Sequence, residues 1–210
     1  FFDEKANVEM TYNVLRSAYE AGVPRLAIAS SNHASDWYEH ALIHERKMEI
    51  MDPYDLPLSD NFYGWAKASY EHLGFLFACG AMDFRDASGR EFHTGGLLHN
   101  VKQKPEVVMI RIGAARELDI TIYEEDPAAY KRDLGAYVSA RDLTQLFVKA
   151  IETPNIENRY GVPWHVVYGI SNNTRAFWSL ANAREVLGYC PLDDSEVKFA
   201  ADISRLLIRD

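Results

Sequence analysis

The chain has 210 residues, of which 48% are apolar and 25% are charged, and its formal net charge at pH 7 is −9. The acidic balance disfavours a nucleic-acid partner, no apolar run reaches the ~18 residues that cross a bilayer, and the first residues lack the order of a signal peptide. We therefore expect one soluble, cytoplasmic globular domain with neither nucleic-acid nor membrane partners.

The first third of the chain alternates between helix and strand patterns. Apolar residues at helical spacing predict a helix over about residues 5–21, which Gly22 ends. Residues 25–30 form a short apolar run that ends in small polar residues, as a buried parallel strand does where it opens into a site. We expect a long polar loop at 34–60 and a second long helix over about 61–79.

The middle of the chain begins with its least regular part. Residues 80–104 are rich in glycine and charge, and we interpret them as an exposed excursion. The apolar run 107–112 predicts a strand, and a polar stretch at 116–132 follows it.

The last third repeats the alternation. It predicts a helix at 139–152, a strand at 165–169 and a helix at 175–187, which Gly188 closes. Helices that alternate with apolar strands indicate an α/β fold: a Rossmann-like, doubly wound parallel sheet with helices on both faces. We expect residues 1–210 to form a single domain of this kind.

Glycine-rich phosphate-binding turns are missing from the expected positions. No Gly-x-Gly-x-x-Gly follows a strand, and no acidic residue ends a second strand. The sequence therefore predicts a domain that is incomplete at its N-terminus and lacks the glycine-rich βαβ portion.

Tyr63 and Lys67 carry the clearest chemical signal. Four residues apart on a helix, they lie one turn apart on the same face, so an ammonium can sit beside a phenol. A free phenol titrates near pH ~10, and a nearby cation stabilises its anion. With Ser31 hydrogen-bonding the same substrate oxygen, these groups could remove a proton from an alcohol whose carbon gives up hydride to a nicotinamide cofactor.

The sequence shows no comparable pattern for a metal site. Cys79 and Cys190 are the only cysteines, and they are far apart and lack the spacing of metal ligands. We predict no metal site, and two isolated thiols in a reducing compartment.

Five blocks in order resemble the extended short-chain dehydrogenase/reductase superfamily, also called the NAD-dependent epimerase/dehydratase family. The blocks are residues 7–15, 29–33, 63–67, 110–113 and 187–189. Within that superfamily the chain is most similar to uronate dehydrogenases and related NAD-dependent sugar dehydrogenases. The resemblance implies oxidation of a sugar or sugar acid, with NAD as cofactor and NADP as an alternative, and a homodimer or higher homo-oligomer.

The resemblance also assigns roles to individual residues. It makes Tyr63 the base, Lys67 the partner that binds ribose and favours the phenolate, and Ser31 the anchor of the substrate hydroxyl. The residues implied in cofactor binding are Asn7, Ser30, Tyr63, Lys67, Ile112 and Gly113. Those implied in substrate binding are Ser31, Asn32, His33 and Arg132, with a small substrate-binding portion at about 114–137 and 165–210.

One position departs from the pattern of uronate dehydrogenases. Ala114 follows Arg-Ile-Gly where those enzymes tend to have serine, so one substrate hydrogen bond would be missing. Two alternatives to a sugar dehydrogenase stay open: a nucleotide-sugar epimerase of the same superfamily, and a non-catalytic protein that binds NAD or NADP.

Overall fold

Three parallel strands form the centre of the molecule. The computed structural model describes residues 1–80 and 104–208. Strands β1 (Arg25–Ser31), β2 (Glu106–Ile112) and β3 (Trp164–Gly169) lie in the order β1-β2-β3. Strand β2 is central, and its residues 107–111 are buried, as expected for a sheet that is covered on both faces.

Helices cover both faces of this sheet. On one face, helix α3 (Phe62–Cys79) contacts all three strands and packs beside helix α1 (Phe2–Glu20). On the other face, Leu146 and Ala150 of helix α5 (Ala140–Glu152) join the main apolar core. The predicted parallel α/β fold and its three strands are confirmed.

Local signals explain where helix α3 begins and ends. Asn61 caps its first turn, because its side-chain oxygen accepts a 2.8 Å hydrogen bond from the backbone nitrogen of Gly64. Gly80 ends the helix with a φ of 79°, a left-handed conformation that glycine adopts without a steric penalty. The predicted helix over about 61–79 is therefore confirmed.

Two segments predicted as polar loops contain helical turns. After β1 the backbone forms a 3₁₀ turn (Asn32–Ser35), one α-helical turn, α2 (Asp36–Tyr38), and a π-helical turn (Glu39–Ile43). We call residues 32–43 the post-β1 segment. Between β2 and α5 lie a 3₁₀ turn (Ile120–Tyr123) and helix α4 (Pro127–Ala136), which Asp126 caps.

The predicted helix at 175–187 is wrong in its first half. Helix α6 spans only Ala181–Leu187, because the backbone around Trp178 pairs with Met51 instead. Met51 donates a hydrogen bond to the Phe177 carbonyl, and its own carbonyl accepts one from Ser179. Gly188 closes α6 as expected, with a φ of 65°.

The described C-terminal part ends in two short helices. Helix α7 spans Ser195–Lys198 and helix α8 spans Ala200–Leu207, neither of which the sequence pattern predicted. The excursion predicted at 80–104 lies, apart from its two end residues, outside the described residues. In the described ranges, no helix combines the length and the apolar character needed to cross a membrane.

Candidate active site at the carboxyl ends of the strands

The three strands end at the same level, and the candidate residues begin there. Ser31 pairs with Ile112 across the sheet, and Ile112 pairs with Gly169. Ligands of open parallel sheets bind outside these carboxyl ends. Ser30 and Ser31 are both buried at this edge.

Gly113 continues the edge where no side chain fits. Its backbone nitrogen donates a 3.1 Å hydrogen bond to the Gly169 carbonyl. A methyl group at this position would lie 2.1 Å from the carbonyl oxygen of Ala136, the last residue of α4. The sequence therefore lets β2 and α4 approach each other closely at the strand ends.

The post-β1 segment is fastened to the start of α3. The Oγ of Ser31 accepts a 3.2 Å hydrogen bond from the backbone nitrogen of His33. The ring Nδ1 of His33 lies 2.8 Å from a carboxylate oxygen of Asp36, and Asn61 donates a 2.8 Å hydrogen bond to the same carboxylate. Since Asn61 also caps α3, this chain of contacts sets the position of the helix relative to the serine segment.

Gly64 lets the two segments touch. A methyl group at Gly64 would lie 2.0 Å from the backbone oxygen of His33, a separation that real atoms do not adopt. The Tyr63 ring meets the His33 ring edge-on, with their centroids 5.6 Å apart. The fold thus brings Ser31, His33 and Tyr63, which are distant in sequence, to one end of the sheet.

Tyr63 and Lys67 occupy the open end of α3. The Tyr63 residue is 42% exposed, and the Lys67 ammonium lies 5.5 Å from its ring centroid and 4.6 Å from that of Tyr70. Burial lowers the pKa of Lys67, while the charge of Glu4 on α1 opposes this shift. In the described part of the chain, no carboxylate oxygen lies within 4 Å of the Lys67 ammonium.

Asn7 and Ser30 lie on either side of this end of α3. Asn7, on α1, donates a 3.3 Å hydrogen bond to Glu4, whose charge also acts on Lys67. The Ser30 hydroxyl donates a 2.8 Å hydrogen bond to the buried carboxylate of Glu71. Ser30 is therefore bonded within the protein.

Below the strand ends lies a buried ion pair that the sequence analysis missed. Two nitrogens of Arg111 each donate a 2.8 Å hydrogen bond to Glu71. A third nitrogen donates a 2.9 Å hydrogen bond to the Tyr168 hydroxyl, which lies 2.9 Å from the Ser35 hydroxyl. Burial alone would lower the pKa of Arg111, but the contacts with Glu71 raise it above its ordinary value.

This network had a signal in the sequence. Arg111 interrupts the apolar run 107–112, and a charge in a buried strand requires a partner of opposite charge. Glu71 is that partner, and it lies one turn beyond Lys67 on the same face of α3. Since Ser35 also donates to the Asn32 carbonyl at 3.2 Å, the network supports the post-β1 segment from below.

Arg132 lies on α4 and is already paired. Its guanidinium donates hydrogen bonds of 2.8 and 3.1 Å to the two oxygens of buried Glu39, and one of 3.1 Å to Asp133. It also lies 5.4 Å from the Trp178 ring. Although burial opposes the shift, the contact with Glu39 raises the pKa of Arg132. Its bonded partners among the described residues are thus carboxylates of the chain itself.

A separate hollow of about 480 Å³ lies on the opposite side of α3. It runs between that helix, the loop at 53–57 and the outer edge of β3, and Trp65, His72 and Trp164 are part of its lining. Trp65 and His72 point away from the face that carries Tyr63 and Lys67. Glu71 and Arg111 also line this hollow, so it reaches the buried ion pair but not the exposed face of Tyr63.

Two features of the site concern a nicotinamide cofactor. In the ranges that the structure describes, no three His, Cys, Asp or Glu side chains are grouped as metal ligands. Among the described residues Lys67 presents a cation without a carboxylate partner beside Tyr63, and Gly113 lets the end of β2 lie against Ala136 and Ile170, where a side chain would clash. Both features suit contact with a ribose and a flat ring at the strand ends.

Comparison with known proteins gives consistent relatives, although no family model matches the chain. It is 31% identical over 197 residues to NAD-dependent glucose-6-phosphate dehydrogenase of Haloferax volcanii, covering 90% of this chain and 61% of that protein. It is 27% identical to uronate dehydrogenase of Pseudomonas syringae pv. tomato, covering 91% and 54%. The solved glucuronic acid dehydrogenase from Chromohalobacter salexigens superposes with a TM-score of 0.64 at 25% identity, covering 93% and 56%.

The resemblance to the extended short-chain dehydrogenase/reductase superfamily is confirmed. More distant structural neighbours include UDP-glucuronic acid 4-epimerases, which at 12% to 13% identity share the fold alone. The chain spans 61% and 58% of the length of the first two curated relatives that it matches.

Proposed function

We propose that this protein is an NAD-dependent oxidoreductase that oxidises a CH–OH group of a sugar or sugar acid. The observation that carries the proposal is the placement of Tyr63 and Lys67 beside the Ser31–His33 segment at the carboxyl ends of the strands. The relatives that bear the names of NAD-dependent sugar and sugar-acid dehydrogenases support it.

Three side chains would move the proton. Ser31 would hold the substrate hydroxyl, and Tyr63 would accept its proton as the carbon–hydrogen bond breaks. Lys67 would favour the charged form of the phenol, because it lies over the Tyr63 ring without a carboxylate to compensate it in the described part of the chain. NAD, when bound, supplies the acceptor for the hydride that the carbinol carbon gives up.

Cofactor and substrate would occupy two sides of this centre. Lys67 and Tyr63 would hold the ribose, and Ile112 and Gly113 would lie beside the nicotinamide, with Ser30 and Asn7 completing the cofactor side. The relatives support NAD, and NADP stays an alternative because the residue that would decide between them is not among the motifs of this chain.

The substrate side would consist of Asn32, His33 and Arg132. The side-chain nitrogen of Asn32 is buried and has no hydrogen-bond partner among the described residues, an unfavourable state that a substrate oxygen could relieve. We propose that about residues 114–137 and 165–210, which include α4, form the substrate-binding portion of a single domain.

Assembly and location follow the same resemblance. We propose a homodimer formed through α1 and α3, whose outer surfaces expose Met10, Val14 and Phe62. Light scattering on the purified protein would give the mass of a monomer if this is wrong.

The free thiols of Cys79 and Cys190 support a reducing compartment, and we propose the cytoplasm.

The test is NADH formation by the full-length protein over a panel of uronic acids, neutral aldoses and sugar phosphates. Tyr63→Phe should lower kcat by about 100-fold or more, since proton transfer contributes on this scale. Tyr12→Phe on α1 is a matched control, because Tyr12 is 38% exposed, close to the 42% of Tyr63. Both variants should unfold at the temperature of the parent.

Two outcomes would contradict the proposal. If Tyr63→Phe kept its turnover, the assigned base would be wrong. If the protein bound NAD but oxidised no sugar of the panel, a nucleotide-sugar epimerase would be the better candidate, and interconversion of nucleotide sugars should then be measured. A protein inactive in both assays would be a non-catalytic nucleotide-binding member of the superfamily.

A further inference from the structure

The Glu39 carboxylate already accepts hydrogen bonds from the Arg132 guanidinium before any substrate binds. Glu39 begins the π-helical turn of the post-β1 segment, and its side chain is only 3% exposed. Both of its oxygens accept hydrogen bonds from Arg132, at 2.8 and 3.1 Å. A guanidinium forms its strongest pairs with carboxylates in this two-bond geometry, so the chain itself fills the position that an external carboxylate would take.

The surrounding charges balance. Asp133 accepts a 3.1 Å hydrogen bond from Arg132 and a 2.6 Å bond from Arg116. Two arginines therefore face two carboxylates, and the ring Nε2 of His44 lies 3.3 Å from Glu39. With a neutral His44 these groups leave no net positive charge for an anionic group. Moreover, the Asp133 carboxylate is held by a 2.7 Å hydrogen bond from the Tyr123 hydroxyl, so it cannot turn away without breaking a buried contact.

This neutral cluster lies next to the candidate site. The post-β1 segment, which contains Glu39, starts directly after Ser31. On α4, Arg132 precedes Ala136 by one turn, and the Ala136 carbonyl is the atom that a methyl on Gly113 would touch. A substrate held by Ser31 would therefore meet Arg132 in its paired state.

From this pairing we infer that the sugar group facing Arg132 is uncharged and that Glu39 determines this specificity. The inference rests on the proposed function. Of the five N–H groups of a guanidinium, three donate to Glu39 and Asp133, so two can donate to hydroxyl or ring oxygens. A carboxylate or phosphate would have to displace Glu39 and leave it buried with only His44, whose Nε2 lies 3.3 Å from Glu39 Oε1, as its contact among the described residues; loss of the guanidinium from a buried carboxylate is strongly unfavourable. The substrate class is a neutral aldose.

The experiment compares glucose with glucuronate and with glucose 6-phosphate, using the full-length protein with NAD. The parent should give a kcat/KM for the neutral sugar at least about 10-fold above that for either anion. Glu39→Gln keeps the shape and removes the charge, so it should raise kcat/KM for the anions by about 10-fold relative to glucose. Glu45→Gln is the control, because Glu45 is nearby in sequence but 61% exposed, and its ion pair within the described residues is with exposed Lys47.

Binding provides a second readout that does not need turnover. Quenching of tryptophan fluorescence, with Trp178 close to Arg132, would report glucuronate binding. Glu39→Gln should bind glucuronate at least about 10-fold more tightly than the parent. If Glu39→Gln does not fold, Asp133→Asn removes the other charge and should act in the same direction.

The results separate the inference from the proposed function. A parent that prefers an anionic sugar, or variants that leave the ratio and the binding unchanged, would overturn the inference and leave the dehydrogenase proposal standing. Absence of all turnover would overturn the dehydrogenase proposal, while the binding comparison would still decide the role of Glu39.

Discussion

Three cations lie around the strand ends, and they differ in what compensates their charge. Arg111 is 1% exposed and shares two hydrogen bonds with Glu71, and Arg132 shares two with Glu39. Lys67 instead lies over the rings of Tyr63 and Tyr70, and in the described part of the chain it has no carboxylate within 4 Å.

The direction of the pKa shifts follows this difference. Contact with the two glutamates raises the pKa of each arginine in spite of burial, so their positive charge is permanent and already used. Burial lowers the pKa of Lys67 from its ordinary value, which means that its charged form is less favoured than that of a free lysine. The arginines therefore hold structure, while the lysine can respond to a ligand or to a developing phenolate.

Removing the Glu71 carboxylate should give the largest effect. Glu71→Ala leaves Arg111 buried without its anion, and we expect a loss of about 3–5 kcal/mol in the free energy of unfolding. Urea denaturation would measure it. The double variant Glu71→Leu with Arg111→Met should recover most of this loss, because two apolar side chains replace the pair without leaving a charge. A single variant as stable as the parent would show that the pair is not structural.

Lys67→Met tests the other side of the comparison. We expect kcat to fall by about 100-fold, equivalent to about 2.7 kcal/mol, because the phenol loses the cation that favours its charged form. Raising the pH should restore part of the activity. Stability at neutral pH should be equal or higher, since the lowered pKa of Lys67 means that its charged form destabilises the fold below that pKa.

A matched lysine identifies the cause of such a change. Lys47→Met removes a charge from an exposed side chain whose ion pair among the described residues is with Glu45. It should leave both kcat and its pH dependence as in the parent. Full activity of Lys67→Met would mean that this lysine merely packs on the aromatic rings.

The sequence pattern predicted the parts that are determined locally. The three strands follow from apolar runs, and helix α3 follows from Asn61 and Gly80 at its two ends. The candidate Tyr63–Lys67 pair follows from helical spacing, and its meaning came from the order of five blocks along the chain. Each of these signals lies within a few residues of the feature that it predicts.

Features that depend on distant partners were missed. Helix α6 starts late because Met51 pairs with the backbone at Trp178. The partner of Arg132 lies 93 residues away in the sequence, and the pattern did not indicate that this guanidinium is already occupied. Of these distant contacts, the sequence indicated only that of Arg111, because a charge within an apolar strand requires a partner.

Gly64→Ala would loosen the contact that brings Tyr63 beside the serine segment. The added methyl would lie 2.0 Å from the backbone oxygen of His33, so the first turn of α3 must shift. We expect a loss of about 1–3 kcal/mol in stability, as for other overpacked sites, and a fall in kcat because Tyr63 moves with the turn. Gly161→Ala gives a comparison without a clash, since a methyl there meets no atom within 4 Å; its loss of stability reports only the cost of a side chain at the left-handed φ of 71°.

The pair of His40 and Asp60 should give the smallest effect, because both side chains are largely exposed. Their 2.6 Å hydrogen bond raises the pKa of His40 from its ordinary 6.5, against desolvation, and lowers that of Asp60 from 3.8. The stability that the raised pKa of His40 contributes is fully present below pH 6.5 and is lost as the pH rises through the raised pKa. The stability that the lowered pKa of Asp60 contributes is present above pH 3.8 and is lost as the pH falls through the lowered pKa.

The contribution should therefore be largest between these two values. Thermal unfolding of His40→Gln at mildly acidic pH should show a loss below about 1 kcal/mol, which shrinks under alkaline conditions. In an Asp60→Asn background the same substitution should change nothing further, because the partner is already neutral. A loss of stability that is equal at both pH values would mean that His40 acts through packing. Charge pairing near this site would then contribute to stability only where the carboxylate is buried, as it is at Glu39 and Glu71.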